Sequence, residues 1–347
     1  MEGWGESSRQ KARKRMTGRH GETEKFHRVT LSPSHRVLLR TPNSKLRTIF
    51  FLIALCLTFA LLGAKVDSTE GGAYSTQPGY PICREIQYGF MLRNKTNHLL
   101  KEAEFWTYAP VKMTSTQRCL KLEVSHPYEL IGDDLGNQIL CLRFESLPPH
   151  GVKPITIRAS LGLSDVPNPV PIDDGHPFLR SEKYIESDHP ELQKFAKKFE
   201  SATPRETAER IFRWVANSIS YAGYLRNSRG ALYAFRNKRG DCTEYMCLFA
   251  ALCRANGIPA RGIGGYVNSE SCILEPSSYH NWAEFYEEGA WRIGDPQKRI
   301  LMEDSSNYIA MRIIGESPKN PMGEFYRFRC AGNGLEVKMT SRDSIQR

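Results

Sequence analysis

The sequence predicts an α+β protein that is attached to a membrane near its amino terminus. Three patterns predict this fold class: an uncharged apolar run at residues 48–64, alternating apolar residues from about 82 to 163, and apolar residues at helical spacing after residue 178. With 347 residues and 40% hydrophobic content, the chain is long enough for one large or two ordinary domains.

The formal net charge of +10 is concentrated in the first 47 residues. Residues 1–47 contain twelve Lys or Arg and four acidic residues, a net charge of +8, so the remaining 300 residues carry only +2. A folded part so close to neutral has no basic footprint for DNA or RNA, and we expect no nucleic-acid partner. A basic flank before an apolar run also predicts that this tail stays in the cytoplasm.

Residues 48–64 run from Thr48 to Ala64 without a charge, at the short end of the length that spans a bilayer. We predict a retained single-pass anchor, which places the chain after residue 65 in the periplasm or at the cell surface. The alternative is a secretory signal peptide that is cleaved near Gly63 and Ala64 and releases a secreted protein.

A polar linker is predicted at residues 65–81, followed by a small β-sandwich-like domain at residues 82–177. Apolar residues alternate at 120–124 and again at 140–144, and the turn signal Asp-Asp-Leu-Gly-Asn lies between them at 133–137. Prolines interrupt the strands, which is typical of a sandwich of short strands with a structural role.

Helical spacing begins after this domain, and residues 178–316 predict a second domain with the catalytic residues. Thr203 and Glu206 have the spacing of a capping box, which marks the start of a helix whose apolar face includes Ala208. Residues 317–347 are polar with few apolar anchors, so we expect a carboxy-terminal tail that frays.

The strongest chemical signal is Cys242, which follows a predicted helix cap. Asp241 and Glu244 have capping-box spacing, so Cys242 should occupy the first position of a helix that is apolar on all sides. The positive end of the helix dipole favours a thiolate there, and we expect this thiol to ionise well below the ~8.5 of an unperturbed cysteine. The alternative reading is a small buried apolar residue, which better describes Cys247 and Cys253.

Nine cysteines occur in the chain, at positions 56, 83, 119, 141, 242, 247, 253, 272 and 330. Eight of them follow the predicted anchor and would lie where disulfides can form, but the sequence does not determine their pairing. Cys242, Cys247 and Cys253 cannot share a zinc ion, because eleven helical residues rise about 16 Å. We expect neither a metal nor a cofactor.

His280 and Asp295 lie on the two strands of a predicted hairpin. The turn is expected at residues 287–289, where Gly289 can adopt a positive φ, and antiparallel pairing about that turn brings Asp295 within reach of His280. Together with Cys242 they form a candidate triad of nucleophile, base and orienting carboxylate. The alternative for His280 is a surface or hydrogen-bonded core histidine.

These residues resemble the core of the transglutaminase-like superfamily in its bacterial branch. The resemblance spans about residues 178–312 and rests on Gly-Asp-Cys-Thr-Glu at 240–244, His-Asn-Trp-Ala-Glu at 280–284 and Gly-Asp-Pro at 294–296. It implies a papain-like arrangement of the triad, with the histidine as general base and acid. Crosslinking transglutaminases carry Gly-Gln-Cys-Trp at the nucleophile, whereas this chain has Gly-Asp-Cys-Thr at 240–243. The sequence with Asp before Cys is similar to members of the superfamily that are interpreted as peptidases, amidases or deglycosylating enzymes.

The expected chemistry is attack on an amide bond of a protein or peptide, through a thioester that is hydrolysed (peptidase, amidase or deamidase) or captured by an amine. The Cys242 N–H is the expected oxyanion donor. Tyr224, Tyr233 and Trp282 are candidates for a second donor or for lining the cleft, with packing as the alternative role. A basic cluster precedes the nucleophile and either lines the cleft or forms a solvated face: Arg226, Arg229, Arg236, Lys238 and Arg239.

Two other functions fit the same sequence. One is a catalytically silent extracytoplasmic binding or scaffolding module on the same fold. The other is a secreted, disulfide-bonded adhesion module, which the β domain and the number of cysteines favour. An intact set of Cys, His and Asp argues for the enzyme, because packing alone does not require all three.

Overall fold

The computed structural model describes three stretches of the chain: residues 78–172, 177–323 and 326–341. The predicted basic tail (1–47), the predicted anchor (48–64) and most of the predicted linker lie outside the described residues. The described residues belong to one compact unit, Gly72–Arg347. None of their helices has the length and apolar character needed to cross a membrane.

The described part is an α+β structure whose strands outnumber its helices. The strands are β1 (Ile82–Asn94), β2 (Leu100–Ala109), β3 (Gln117–Val124), β4 (Glu129–Gly132), β5 (Gln138–Leu147), β6 (Val152–Leu163), β7 (Ser220–Tyr221), β8 (Arg239–Gly240), β9 (Ala260–Val267), β10 (Cys272–Ile273), β11 (Tyr279–Glu287), β12 (Ala290–Asp295), β13 (Ile300–Leu301), β14 (Tyr308–Ile314), β15 (Phe328–Ala331) and β16 (Leu335–Met339). The α-helices are α1 (Pro190–Ala196), α2 (Pro204–Ser218), α3 (Gly230–Asn237) and α4 (Cys242–Ala255). Short 3₁₀ turns occur at Pro177–Leu179, Lys197–Phe199, Pro276–Ser278 and Ser305–Asn307.

Two sheets built mainly from the first six strands share one hydrophobic core. The first has the order β10-β1-β6-β3, with β16 also paired to β1, and the second has the order β15-β2-β5-β4. Leu92 and Ile157 from the first sheet and Phe105 and Leu142 from the second are fully buried in the same cluster. The two predicted alternating segments are confirmed as β3 and β5, because their inward residues pack in this region.

The carboxy-terminal region differs from the sequence prediction. We expected residues 317–347 to fray, but β15 pairs with β2 and β16 pairs with β1. The ring of Phe328 lies 5.2 Å from that of Phe90 and 6.4 Å from that of Phe105, which anchors β15 in the shared core. The segment is too polar to predict a strand by itself, and its order comes from main-chain partners on distant strands.

A second five-stranded sheet, β13-β12-β11-β9-β14, packs against α4. Every residue of α4 from Thr243 to Arg254 is buried, and Phe249 and Phe285 pack edge to face between the helix and β11 at a ring distance of 6.0 Å. The helix is buried on all sides because α1, α2 and α3 cover the face that the sheet leaves open.

The predicted caps of two helices are present. Asp241 accepts from the N–H of Thr243 at 2.8 Å, and Glu244 accepts from the N–H of Asp241 at 3.0 Å, so the capping box of α4 is confirmed. The hydroxyl of Thr203 accepts from the N–H of Glu206 in α2. The carboxylate of Glu206 accepts from the hydroxyl of Ser201 and not from the Thr203 N–H, so α2 has the predicted N-cap but only half of the predicted capping box.

The hairpin between β11 and β12 has a two-residue turn. Glu287 pairs with Ala290, and the turn residues Glu288 and Gly289 have φ values of 49° and 80°. Positive φ at both positions is the type I′ geometry that matches the twist of paired strands. The predicted turn is confirmed, and it sets the register between the strands that carry His280 and Asp295.

We predict that Gly289→Ala lowers the free energy of unfolding by about 1 kcal/mol, since a Cβ at this position meets no atom within 4 Å and the cost is purely conformational. Gly132→Ala is the matched control, because its Cβ also meets open space but its φ is not positive. Urea denaturation of both variants measures the difference. Equal destabilisation of the two would contradict the turn assignment.

Candidate active site

Cys242 is the first residue of α4, where the capping box fixes the backbone. The main-chain N–H of Asn281 and the hydroxyl of Thr243 both lower the pKa of its thiol, which places these two groups beside the sulfur. Asn281 follows His280 directly in β11, so the start of the helix rests against the strand that carries the candidate base.

His280 and Asp295 are joined by a buried hydrogen bond, with 2.6 Å between Nε2 and Oδ2. The ladder between their strands ends with Ala283 opposite Gly294. Continuing this register places His280 opposite Gln297, so the carboxylate reaches the ring across the diagonal of the hairpin. The carboxylate engages Nε2, so Nδ1 is the other nitrogen at which the ring can accept or donate a proton.

The carboxylate of Asp295 has two further donors. The hydroxyl of Tyr308 donates to Oδ2 at 3.0 Å, and the main-chain N–H of Lys298 donates to Oδ1 at 3.1 Å. Tyr308 comes from β14, on the far side of β9 from the hairpin, so no local pattern in the sequence indicated it. These contacts fix the plane of the carboxylate and therefore the orientation of the imidazole.

A second link between helix and strand involves two side chains that the sequence analysis did not identify. The amide Nδ2 of Asn281 donates to Oγ1 of Thr243 at 2.9 Å. An amide nitrogen is only a donor, so Oγ1 acts as the acceptor and its own proton remains available for the sulfur of Cys242. Asn281 thus reaches the nucleophile directly through its backbone and indirectly through Thr243.

Comparison with known protein families identifies one match within the chain. Residues 193–296, which contain all three triad candidates, match the model of the transglutaminase-like superfamily core. This segment is a transglutaminase-like domain. No curated protein sequence matches the chain.

Several solved structures are similar to the chain, including these two. One is a candidate cysteine protease from Cytophaga hutchinsonii, with 20% identity, a TM-score of 0.49, and coverage of 76% of this chain and 93% of that chain. The other is the periplasmic domain of TgpA from Pseudomonas aeruginosa, with 16% identity, a TM-score of 0.33, and coverage of 61% and 90% respectively.

The electrostatics of the nucleophile in the transglutaminase-like domain differ from the sequence prediction. Burial raises the pKa of the Cys242 thiol to about 12, and the carboxylates of Asp241 and Asp295 add to the rise. The Asn281 N–H and the Thr243 hydroxyl oppose it. The expectation of a pKa below ~8.5 was wrong, because the helix terminus is a local feature whereas desolvation and neighbouring carboxylates arise from tertiary packing.

The other predicted cleft residues of this domain occupy three different environments. Trp282 is buried beside His280, with 6.3 Å and 22° between the rings, and it packs on Tyr308 at 5.0 Å. This position supports the imidazole by packing. Tyr233 accepts a hydrogen bond from Arg229 at 2.8 Å, and Tyr224 is 85% exposed.

We predict that Thr243→Val shifts the pH dependence of Cys242 alkylation by iodoacetamide upward by about one unit, because a hydrogen bond to a charged atom is worth about 1.5–3 kcal/mol. Thr243→Ser keeps the hydroxyl and should retain the profile of the parent protein. Peptide mass analysis separates Cys242 from the buried Cys247 and Cys253, which should react only after unfolding. Identical profiles for the Val and Ser variants would rule out the hydroxyl as a donor to sulfur.

Proposed function

We propose that this protein is a cysteine-nucleophile enzyme that acts on amide bonds of proteins or peptides through a thioester. The observation that supports this most is the buried 2.6 Å hydrogen bond between His280 and Asp295, next to a thiol that contacts the backbone of the following residue, Asn281. A carboxylate, an imidazole and a thiol in this order are the parts of a papain-like triad.

In the proposed reaction His280 accepts the thiol proton at Nδ1, and the sulfur of Cys242 attacks the carbonyl carbon of the amide. The N–H of Cys242 stabilises the resulting oxyanion, since the first N–H groups of a helix have no intrahelical acceptor. The C–N bond breaks as the imidazolium returns its proton to the leaving amine. Water then hydrolyses the thioester, or a second amine captures the acyl group.

The raised pKa of the thiol has a consequence for this mechanism. A sulfur that does not ionise by itself becomes a nucleophile only when the imidazole takes its proton, so reactivity depends on His280 and on the Asp295 carboxylate that orients it. The same raised pKa favours the second candidate function, a catalytically silent binding or scaffolding module on this fold. Turnover measurements separate the two.

We predict that Cys242→Ala and His280→Ala abolish turnover, and that Asp295→Asn lowers kcat by about 10²- to 10⁴-fold, because the tautomer and orientation of the imidazole are lost. Tyr308→Phe should cost much less, since Asp295 keeps its other donors. Mass spectrometry of a peptide library, with and without an added amine, distinguishes cleavage, deamidation and acyl transfer.

Urea denaturation of each variant is the control for folding. An Asp295→Asn protein that no longer unfolds cooperatively would show that this buried carboxylate is structural. Turnover that survives Cys242→Ala would overturn the enzyme proposal.

We also propose that residues 48–64 anchor the protein in a membrane and that the transglutaminase-like domain lies outside the cytoplasm. The +8 tail ahead of seventeen uncharged residues supports this topology. We predict that protease added to intact spheroplasts digests the domain and leaves the tail, as detected with antibodies against each part. Protection of the domain in spheroplasts that become sensitive after lysis would contradict this topology.

A further inference from the structure

Residues 220–229 run beside the segment that leads into the nucleophile. The N–H of Ser220 donates to the carbonyl of Lys238 at 2.9 Å, and the N–H of Ala222 donates to the carbonyl of Gly240 at 2.8 Å. These bonds belong to the parallel pair of β7 and β8, which ends two residues before Cys242. Residues 220–229 therefore lie next to the entrance of α4.

Two carboxylates of the capping box hold this segment in place. Asp241 accepts from the N–H of Leu225 at 2.9 Å, and Glu244 accepts from the N–H of Arg229 at 2.8 Å. Both carboxylates are buried and also bind the first turn of α4. The same two groups thus fix the nucleophile and the neighbouring segment relative to each other.

The basic cluster that precedes the nucleophile divides into two groups. Arg236 pairs with Glu191, and the ammonium of Lys238 lies 4.2 Å from the ring centre of Phe235 and 4.5 Å from that of Trp214. These two cations already have partners within the protein.

The remaining three cations, Arg226, Arg229 and Arg239, are exposed and form no ion pair among the described residues. Arg229 lies over the ring of Tyr233 at 4.7 Å, which orients its guanidinium without neutralising it. The neighbouring Tyr221 is 59% exposed. Positive charge and an exposed aromatic ring therefore lie on the two segments that border the entrance of α4.

We propose that residues 220–229 together with Arg239 form a substrate-binding wall that selects peptide segments with acidic side chains next to the reacting amide. This proposal rests on the proposed amide chemistry and assigns it a substrate class. Guanidinium groups pair with carboxylates in bidentate geometry, and a surface of one charge sign raises the local concentration of oppositely charged ligands. Tyr221 adds apolar contact area for the peptide.

The competing explanation is that the three arginines only balance the buried carboxylates of Asp241, Glu244 and Asp295. Such charge compensation would change the pKa of the Cys242 thiol. It would therefore change the reaction rate by the same factor for every substrate. A wall changes the preference between substrates of different charge. The ratio of rates for acidic and basic ligands separates the two explanations.

The test uses alkylation of Cys242 in the full chain by three iodoacetyl tripeptide amides that differ only in their last two residues: Glu-Glu, Gln-Gln or Lys-Lys. We expect the Glu-Glu peptide to react about five- to tenfold faster than the Lys-Lys peptide at low salt, with the ratio falling as salt is added. The R226Q/R229Q/R239Q variant should bring the ratio close to one.

A matched variant controls for the change in net charge. R93Q/R118Q/R158Q also removes three exposed arginines, which lie on β1, β3 and β6 outside the transglutaminase-like domain, and it should keep the preference of the parent protein. The single variants R226Q and R239Q, each expected to lose part of the preference, cover the case in which the triple variant does not fold.

Three results would overturn the wall: no preference in the parent protein, an equal loss in both triple variants, or a uniform change of all three rates in R226Q/R229Q/R239Q. Alkylation needs no amide turnover, so this result is independent of the proposed activity. A Glu-Glu preference without turnover of any peptide would support the substrate-binding wall and contradict the proposed enzymatic activity. Turnover without a preference would support the enzymatic activity and contradict the wall.

Discussion

The contact between the first turn of α4 and Asn281 of β11 is the constraint on which the candidate site depends. The backbone of Asn281 reaches the sulfur of Cys242, and its side chain reaches the hydroxyl of Thr243. Because Asn281 is the neighbour of His280, one residue sets the position of the nucleophile relative to the base. The contact also requires Gly264 on β9, where a Cβ would lie 3.0 Å from Oδ1 of Asn281 and 2.2 Å from the hydroxyl of Tyr279.

The raised pKa of the Cys242 thiol follows from how deeply the sulfur is buried at this contact. A helix N-terminus favours a thiolate, but burial and two nearby carboxylates outweigh it and raise the pKa of the thiol. In the proposed mechanism, negative charge on the sulfur is stabilised by the Asn281 N–H, the Thr243 hydroxyl and the imidazolium that forms with it. In this mechanism the sulfur therefore depends on His280 and on the Asp295 carboxylate that orients it, and Tyr308 is one of two further donors to that carboxylate.

The parts of this structure that were predictable from sequence are those that local rules determine. Spacing alone identified the capping box at Asp241 and Glu244, and a turn ending in Gly289 was enough to bring His280 to Asp295. Tyr308 was missed because it meets Asp295 through sheet order that no sequence window contains. The sign of the Cys242 pKa shift was missed for a related reason, since desolvation depends on everything that packs around the sulfur.

The pairing of β16 and β10 with β1 affects when the sheets can fold during synthesis of the chain. One edge of β1 is completed by β10 at Ile86 and Gln87 and by β16 from Phe90 to Asn94, and β15 completes the edge of β2. During synthesis these amino-terminal strands emerge long before their partners, and they remain open edges that can pair with other chains. The edges of both sheets are therefore completed only after residues 328–339 have been synthesised, and a chain that lacks these residues presents an open, aggregation-prone edge.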